Sequence, residues 1–128
     1  MIVLLNNKSN YAPVISPDGK LVAAWHANDF TNGLRIALFS MEKSGEPLKV
    51  FDVPLREAFG DRIRWTKDGR ALLYVNTRDG VSNIWRQPID GSALTQVTNF
   101  KTERIFSFAL TPDGRELGVV RGTKVLKR

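Results

Sequence analysis

The sequence contains no cysteine and only one histidine, His26. The lack of cysteine excludes disulfide frameworks, thiolate zinc sites, iron–sulfur clusters and cysteine nucleophiles. No Gly-x-Ser-x-Gly segment occurs either, so His26 has no nucleophile elbow beside which to act as a catalytic base. His26 and Asp29 together would supply only two ligands to a metal ion, which makes a poor site. We therefore expect no catalytic residue, no metal and no cofactor in this chain.

Long apolar segments are also missing from the beginning of the sequence. The run Ile2–Leu5 ends at Asn6 and is too short for the core of a signal peptide or for a membrane span. We expect no membrane insertion, and the residues themselves leave the compartment unknown. The 128 residues are 42% hydrophobic and 25% charged, which is typical of one globular domain rather than of a disordered chain.

Basic residues outnumber acidic ones by 19 to 13, which gives a net charge of +6. From residue 101 onward there are seven basic and three acidic residues, so the rest of the chain is nearly balanced. The terminal basic cluster has no interleaved aromatic residues and no groove-reading helix, and nucleic acid is therefore disfavoured as a partner. This cluster consists of Arg121, Lys124, Lys127 and Arg128.

Three segments of the sequence repeat one pattern. Each has an apolar run, a Ser or Thr, a Pro or Lys, an Asp-Gly pair, a basic residue and a second apolar run. Asp can bond nearby backbone amides and Gly accepts a positive φ, so each pair predicts a tight turn between antiparallel strands. We assign the three aspartates, Asp18, Asp68 and Asp113, to turn formation rather than to metal binding or acid catalysis.

The turn glycines of the repeat are 50 and 45 residues apart, a spacing that fits a four-stranded propeller blade. The second half of each unit predicts a third and a fourth strand, preceded by short polar loops at 28–33 and 77–81. The predicted fold is all-β, a single partial β-propeller domain over residues 1–128 with two and a half to three blades of four-stranded antiparallel sheet. One helical turn is predicted at 55–59.

The predicted blades cover residues 11–51, 61–99 and 104–128, and residues 2–5 are a candidate strand to complete the third blade. An open arc of blades would expose sheet edges and apolar faces. We therefore expect self-association, most simply a homodimer with about six blades. The alternative is that the chain is a partial piece of a longer propeller, whose blades need neighbours.

The repeat resembles the TolB-type β-propeller repeat, whose blades carry a Ser/Thr-Pro-Asp-Gly-Lys/Arg turn and a later Ile-Trp/Tyr segment followed by Asp-Gly. The middle unit has both parts, at 66–70 and 83–91, with Lys67 in place of the usual proline. Residues 105–122 are similar to the final blade of propellers fused behind bacterial serine/threonine kinase domains. The resemblance implies first strands that line a central channel, and it favours a periplasmic or extracytoplasmic location.

The aromatic and basic residues suggest different roles. The three tryptophans alternate with polar neighbours, which predicts that they pack between blades. Because the family's first strands line the channel, the resemblance makes Arg62, Arg64 and Arg104 candidate binding residues for an acidic peptide or ligand. The alternative is a solvated rim of salt-bridged arginines.

The leading functional hypothesis is a non-catalytic TolB-like scaffold that binds a protein or peptide partner through its loops and channel mouth. The alternative is an accessory or sensor module of a larger enzyme, a serine/threonine kinase or a prolyl-oligopeptidase-like peptidase, with the catalytic domain absent from this chain. A propeller hydrolase would need paired carboxylates that face one pocket. The aspartates of this sequence are mostly predicted in turns, which disfavours that third class.

Overall fold

The structure is a computed structural model that describes residue 5 and residues 10–27, 34–43, 45–53 and 63–123. These residues form ten β-strands in two four-stranded sheets and one two-stranded sheet. The strands are β1 (Asn10–Ile15), β2 (Leu21–His26), β3 (Arg35–Ser40), β4 (Lys49–Phe51), β5 (Arg64–Trp65), β6 (Ala71–Arg78), β7 (Val81–Pro88), β8 (Thr95–Gln96), β9 (Arg104–Leu110) and β10 (Leu117–Gly122).

Each sheet is built from strands that follow one another in the sequence. Sheet 1 has the order β1-β2-β3-β4, sheet 2 has the order β5-β6-β7-β8, and sheet 3 is the pair β9-β10, all antiparallel. Antiparallel neighbours can be joined by tight turns, which is what the repeated Asp-Gly pairs provide. The predicted all-β class with four-stranded antiparallel sheets is confirmed, while the predicted helical turn at 55–59 lies outside the described residues.

The turn between β1 and β2 shows why the repeated motif needs its residue types. One carboxylate oxygen of Asp18, Oδ1, accepts hydrogen bonds from the Ser16 hydroxyl at 2.6 Å and from the Lys20 N–H at 2.9 Å. Gly19 has a φ of 76°, and its N–H donates to the Ser16 carbonyl at 2.9 Å. The corresponding turns of sheets 2 and 3 repeat these bonds. The hydroxyl, the carboxylate and the glycine each have a defined part in closing the hairpin.

The hairpin between β6 and β7 is tighter than predicted. Residues 77–81 were expected to form a polar loop, but the two strands extend to Asp79 and Gly80, which alone form the turn. Both residues have positive φ, 52° and 79°. Two consecutive positive φ values match the type I′ turn, whose twist suits antiparallel strands and which favours Asp-Gly. The polar residues around the turn therefore belong to strands.

The largest apolar cluster lies between sheets 1 and 2. Trp25 and Tyr74 meet edge to face in it, with ring centroids 6.1 Å apart, an arrangement that aromatic pairs prefer. The indole N–H of Trp65 donates to the Val14 carbonyl of the neighbouring sheet at 2.9 Å. Trp85 packs against the same cluster, which agrees with the predicted packing role of the tryptophans. The cluster also includes Ala23, Ile36, Leu38, Phe51, Ile63 and Leu72.

A second apolar cluster joins sheet 2 to sheet 3. Leu73 and Val75 of β6 and Ile84 of β7 contribute from one side, and Ile105 and Phe108 of β9 contribute from the other. Neighbouring residues of a strand point to opposite faces. Strand β6 therefore packs on sheet 1 through Leu72 and Tyr74, and on sheet 3 through Leu73 and Val75. Sheet 2 is thus covered on both faces.

A third, smaller cluster lies on the other face of sheet 1. Val22, Ala37 and Phe39 are buried there, and Leu5 and Met41 pack against them. Leu5 is the described end of the candidate strand 2–5, whose other residues lie outside the described part of the chain. In the portions that the structure describes, no helix has the length and apolar character that crossing a bilayer requires.

Turns of neighbouring sheets also touch. A Cβ atom added to Gly69 would lie 3.7 Å from Cδ of Pro17, and one added to Gly114 would lie only 2.8 Å from Cβ of Lys67. The residue before the aspartate in one turn therefore packs against the glycine of the next turn. These glycines are needed for a positive φ and, at Gly114, for the close approach of the adjacent sheet.

Replacing the turn glycines separates these two requirements. Gly19 and Gly114 have nearly equal φ values of 76° and 75°, but a Cβ at Gly19 would meet nothing within 4 Å. We expect Gly19→Ala to lower the free energy of unfolding by about 1–2 kcal/mol through backbone strain alone. Gly114→Ala should lower the free energy of unfolding by clearly more than Gly19→Ala does. Adding Lys67→Gly to the Gly114→Ala variant should remove this additional loss. Urea unfolding measures all three, and equal losses for the two alanine variants would contradict the inter-sheet contact.

The Trp65 hydrogen bond can be tested against a matched tryptophan. Trp65→Phe removes the N–H that donates to the Val14 carbonyl, whereas the indole of the half-buried Trp85 makes no hydrogen bond to another described residue. We expect Trp65→Phe to lower the free energy of unfolding by about 1 kcal/mol more than Trp85→Phe does. The measurement is chemical unfolding followed by circular dichroism. A larger loss for Trp85→Phe would show that this bond adds little to the interface.

Candidate binding surface

The structure places two of the three predicted binding arginines. Arg64 of β5 is half-buried, donates a hydrogen bond to the Phe108 carbonyl at 3.2 Å, and has its guanidinium carbon 5.4 Å from the Phe108 ring centroid. Arg104 begins β9, is half-buried and lies opposite Gly122, while Arg62 lies outside the described residues. Arg64 thus connects sheet 2 to sheet 3, and ligand contact at these three arginines stays a prediction.

Arg121, which belongs to the terminal basic cluster, is also engaged within the protein. Its guanidinium lies 3.7 Å from the Phe100 ring centroid and donates to the Thr102 carbonyl at 2.6 Å. A looser ion pair joins it to Glu103 at 3.8 Å. These contacts hold the connection between sheets 2 and 3 against β10. The other three residues of the cluster lie outside the described part of the chain.

An open cleft of about 580 Å³ lies where the turn of sheet 2 meets the turn of sheet 3. The turn bonds already occupy the Thr66 hydroxyl and one oxygen of Asp68. Among the described residues, the side chains of Lys67 and Arg86 make no hydrogen bond and no close ion pair. The cleft therefore presents two cations beside the carboxylate of Asp68. Its lining consists of Thr66, Lys67, Asp68, Arg86 and Gly114.

Arg86 occupies a position where sheet 1 has an apolar residue. It pairs with Leu73, four residues after the turn glycine of sheet 2, and the residue at the same place in sheet 1 is Leu38, which pairs with Ala23. Leu38 is only 4% exposed, because sheet 2 covers it. Arg86 is half-buried at the corresponding edge of the interface between sheets 2 and 3. A guanidinium there offers hydrogen-bond donors in place of a packing contact.

The sequence prediction does not include Arg86 or Lys67 among the binding residues. The repeat nevertheless contains the signal, since the strand opposite the turn carries Leu38 in the first unit and Arg86 in the second. A charged residue at a position where the first unit buries leucine indicates either a binding site or a place where the neighbouring sheet does not cover the strand. What the repeat alone does not reveal is that Lys67, from another strand connection, opens onto the same cleft.

The carboxylates around the cleft are held in their charged form. Hydrogen bonds from the Arg70 N–H and the Thr66 hydroxyl, helped by the positive charges of Arg70 and Arg86, lower the pKa of Asp68. Across the sheet, the Ser92 hydroxyl and N–H lower the pKa of Asp90, with smaller effects from Lys49 and Arg86. A lowered pKa makes a carboxyl a poor proton donor near neutral pH. These aspartates are suited to turn formation.

The other titratable groups of the described residues have mainly structural contacts. Nδ1 of His26 lies 2.8 Å from Oδ1 of Asn10, a contact between neighbouring strands of sheet 1. Burial raises the pKa of Tyr74 to about 12, so its phenol stays protonated between the two sheets. Within the described ranges, no group of three or more His, Cys, Asp or Glu residues comes together.

Comparison with solved structures identifies the fold. The chain is similar to TolB from Acinetobacter baumannii, with a TM-score of 0.62 and 22% identity over 87% of this chain and 26% of the TolB chain. It is also similar to a proposed 6-phosphogluconolactonase from Bacteroides uniformis, with a TM-score of 0.61 and 18% identity over 90% of this chain and 34% of that one. The isopeptidase AtxE2 gives a TM-score of 0.53 and 20% identity over 80% of this chain and 19% of its own.

No protein-family model matches the sequence, and no curated protein matches it. The structural similarities show a TolB-like, propeller-type fold, which confirms the architecture that the repeat predicted. The chain spans about a quarter to a third of the first two of these structures, at 26% and 34%. Identity at this level shows the fold alone.

The turn aspartates predict a defined acid sensitivity. In Asp18 and Asp113, hydrogen bonds from the neighbouring hydroxyl and then from a backbone N–H lower the pKa, and Asp68 has the same two kinds of bond. A lowered folded-state pKa adds stability that is fully present above the unfolded value of about 3.9 and is lost as pH falls through the lower folded value. Changing all three residues to Asn should therefore flatten the fall in stability below about pH 4.

The measurement is urea unfolding of both proteins between neutral and strongly acidic pH. A charge-matched control replaces three exposed carboxyls, Glu42, Glu46 and Glu116, with Gln. The control variant should lose stability in acid as steeply as the unaltered chain does. If the triple Asn variant does so as well, the turn bonds do not depend on the charged carboxylates.

Proposed function

We propose that the protein is a non-catalytic β-propeller scaffold that binds an acidic protein or peptide segment and associates with a second copy of itself. The observation that carries the proposal is the cleft with Lys67 and Arg86, two cations whose side chains make no hydrogen bond and no close ion pair among the described residues. Rigid antiparallel sheets hold both residues in place, as expected of a binding surface at strand ends and turns. The fold itself is compatible with many roles, so the chemistry of the cleft has to supply the argument.

The two cations favour carboxylates as ligands. Arg86 offers a planar guanidinium that can bind a carboxylate through two parallel N–H bonds, and Lys67 offers a mobile ammonium group beside it. The half-buried position of Arg86 strengthens such a bond compared with one on an open surface. One oxygen of Asp68 and the Thr66 hydroxyl serve the turn. The charge of Asp68 also interacts with Arg86, so an incoming carboxylate would compete with Asp68 for this guanidinium. A peptide with Asp or Glu side chains, or a free C-terminus, fits this chemistry.

A second candidate function is supported by one comparison. AtxE2 is an isopeptidase, and the chain matches only 19% of it. The same kind of sheet arrangement therefore occurs within a larger enzyme, which supports the alternative of an accessory propeller module beside a peptidase or kinase domain. In that case the cleft would contact the partner domain or its substrate. A catalytic domain in the same reading frame would favour this alternative over an independent scaffold.

Peptide binding provides the test. The probe is a short fluorescent Gly-Ser peptide that carries several glutamates, together with a version that carries glutamines. We expect the acidic peptide alone to bind, and the double change Lys67→Ala and Arg86→Ala to weaken it by about tenfold or more, since each charge-assisted bond contributes about 1.5–3 kcal/mol. The charge-matched control is Lys43→Ala with Lys101→Ala, two exposed residues outside the cleft.

Fluorescence anisotropy measures the dissociation constants. Failure of the acidic peptide to bind the unaltered protein contradicts the proposal, as does equal weakening by the control pair. If Arg104→Ala weakens peptide binding and the cleft variant does not, the ligand binds at the predicted channel-lining arginines instead of at the cleft. Higher salt should weaken binding in every case, because the contact is between opposite charges.

A further inference from the structure

Both described contacts between sheets follow one rule. We call the face of a sheet that packs on the next sheet in the chain its forward face, and the opposite face its rear face. Ala23 and Trp25 lie on the forward face of sheet 1, and Leu72 and Tyr74 lie on the rear face of sheet 2. The next interface repeats this relation, with Leu73 of sheet 2 packing on the rear face of sheet 3. Each sheet therefore has two different apolar faces that fit each other in a head-to-tail order.

The forward face of sheet 3 has no covering sheet among the described residues. Its positions can be counted from the turn glycine, which places Gly118 and Val120 where sheet 1 has Ala23 and Trp25. Val120 is 58% exposed and Phe106 is 39% exposed. Ala109, which pairs with Gly118, is exposed as well. An exposed apolar strand pair of this kind is typical of an interaction surface.

The rear face of sheet 1 is covered only in part. Val22, Ala37 and Phe39 are buried under Leu5 and Met41. The first strand of the sheet lies beyond this cover, and Ile15 there is 57% exposed. Leu5 thus covers part of this face, whereas the part beside Ile15 is open.

The register of the strands gives the equivalent positions on the two open faces. Ile15 pairs with Val22, as Trp65 pairs with Leu72, so Ile15 corresponds to Trp65. Ala109 pairs with Gly118, as Val14 pairs with Ala23, so Ala109 corresponds to Val14. The indole N–H of Trp65 donates to the backbone carbonyl of Val14 across the interface between sheets 1 and 2, at 2.9 Å, so these two positions are adjacent there. By the same relation, Ala109 would meet Ile15 across a new interface.

We infer that sheet 3 of one copy packs its forward face against the rear face of sheet 1 in a second copy, beside the segment that contains Leu5. The relation is head to tail, so it forms a closed ring when the rotation between copies adds up to a full turn. Propellers usually contain about four to eight blades. Three sheets from each of two copies would give six blades, within this range, so we expect the 128-residue chain to form a ring of two copies in which the interface occurs twice. This inference specifies the self-association proposed above and is independent of peptide binding at the cleft.

Solution mass and charge exchange test the interface in the full 128-residue chain. Sedimentation equilibrium of the unaltered protein should give the mass of two chains. Ile15→Glu alone and Ala109→Lys alone should each halve the mass, since each places a charge against an apolar face. Mixing the two variants in equal amounts should restore the two-chain mass, because the introduced glutamate of one chain then faces the introduced lysine of the other. Val97→Glu is the control, at a residue that is 44% exposed and lies outside both faces.

Three results would overturn the inference. They are a one-chain mass for the unaltered protein, a two-chain mass that survives both single changes, and a mixture that stays monomeric. Circular dichroism of each variant establishes that the single chain still folds. The glutamate peptide is titrated in parallel, so a protein that binds the peptide as a monomer refutes the ring alone. A dimer that does not bind the peptide refutes only the proposed peptide site at the cleft.

Discussion

The structure depends above all on burial between sheet faces that are apolar on both sides. In β6, Leu72 and Tyr74 point to sheet 1 while Leu73 and Val75 point to sheet 3. A single such sheet would leave one or both faces in water, so its strands are stable only between neighbours. The edge-to-face contact of Trp25 with Tyr74 adds geometric specificity to this burial. Stacking of sheets is therefore a condition of folding for this chain.

Stacking also explains why the turns have so little freedom for chemistry. Adjacent sheets bring their turns close enough that Lys67 lies against Gly114. In the same turns the carboxylates of Asp68 and Asp113 accept bonds from a hydroxyl and a backbone N–H. An acid or base catalyst needs a side chain free to exchange a proton with a substrate. These side chains stabilise the hairpins instead.

The cleft arises from a local departure from the repeat. Where sheet 1 places Leu38 in an interface, sheet 2 places Arg86 at an open edge, and the turn residue Lys67 opens onto the same space. One additional cation in an otherwise apolar interface changes a packing position into one that can receive a carboxylate. Arg64, in contrast, uses its guanidinium to hold sheet 3. Arginines of one sheet thus differ: Arg64 holds the neighbouring sheet, whereas Arg86 lines an open cleft.

The strand order, the hairpin turns and the all-β architecture are predictable from the amino-acid order, because they depend on residues close together in the chain. The Asp18-Gly19 pair and its two repeats contain the hydrogen-bonding groups and the positive φ that a tight turn requires. The folded chain was needed to see which faces meet, that Lys67 and Arg86 share a cleft, and that Arg64 is bound to Phe108. Those outcomes depend on residues about 20 to 50 positions apart in the chain, and a local pattern does not specify which of them come together.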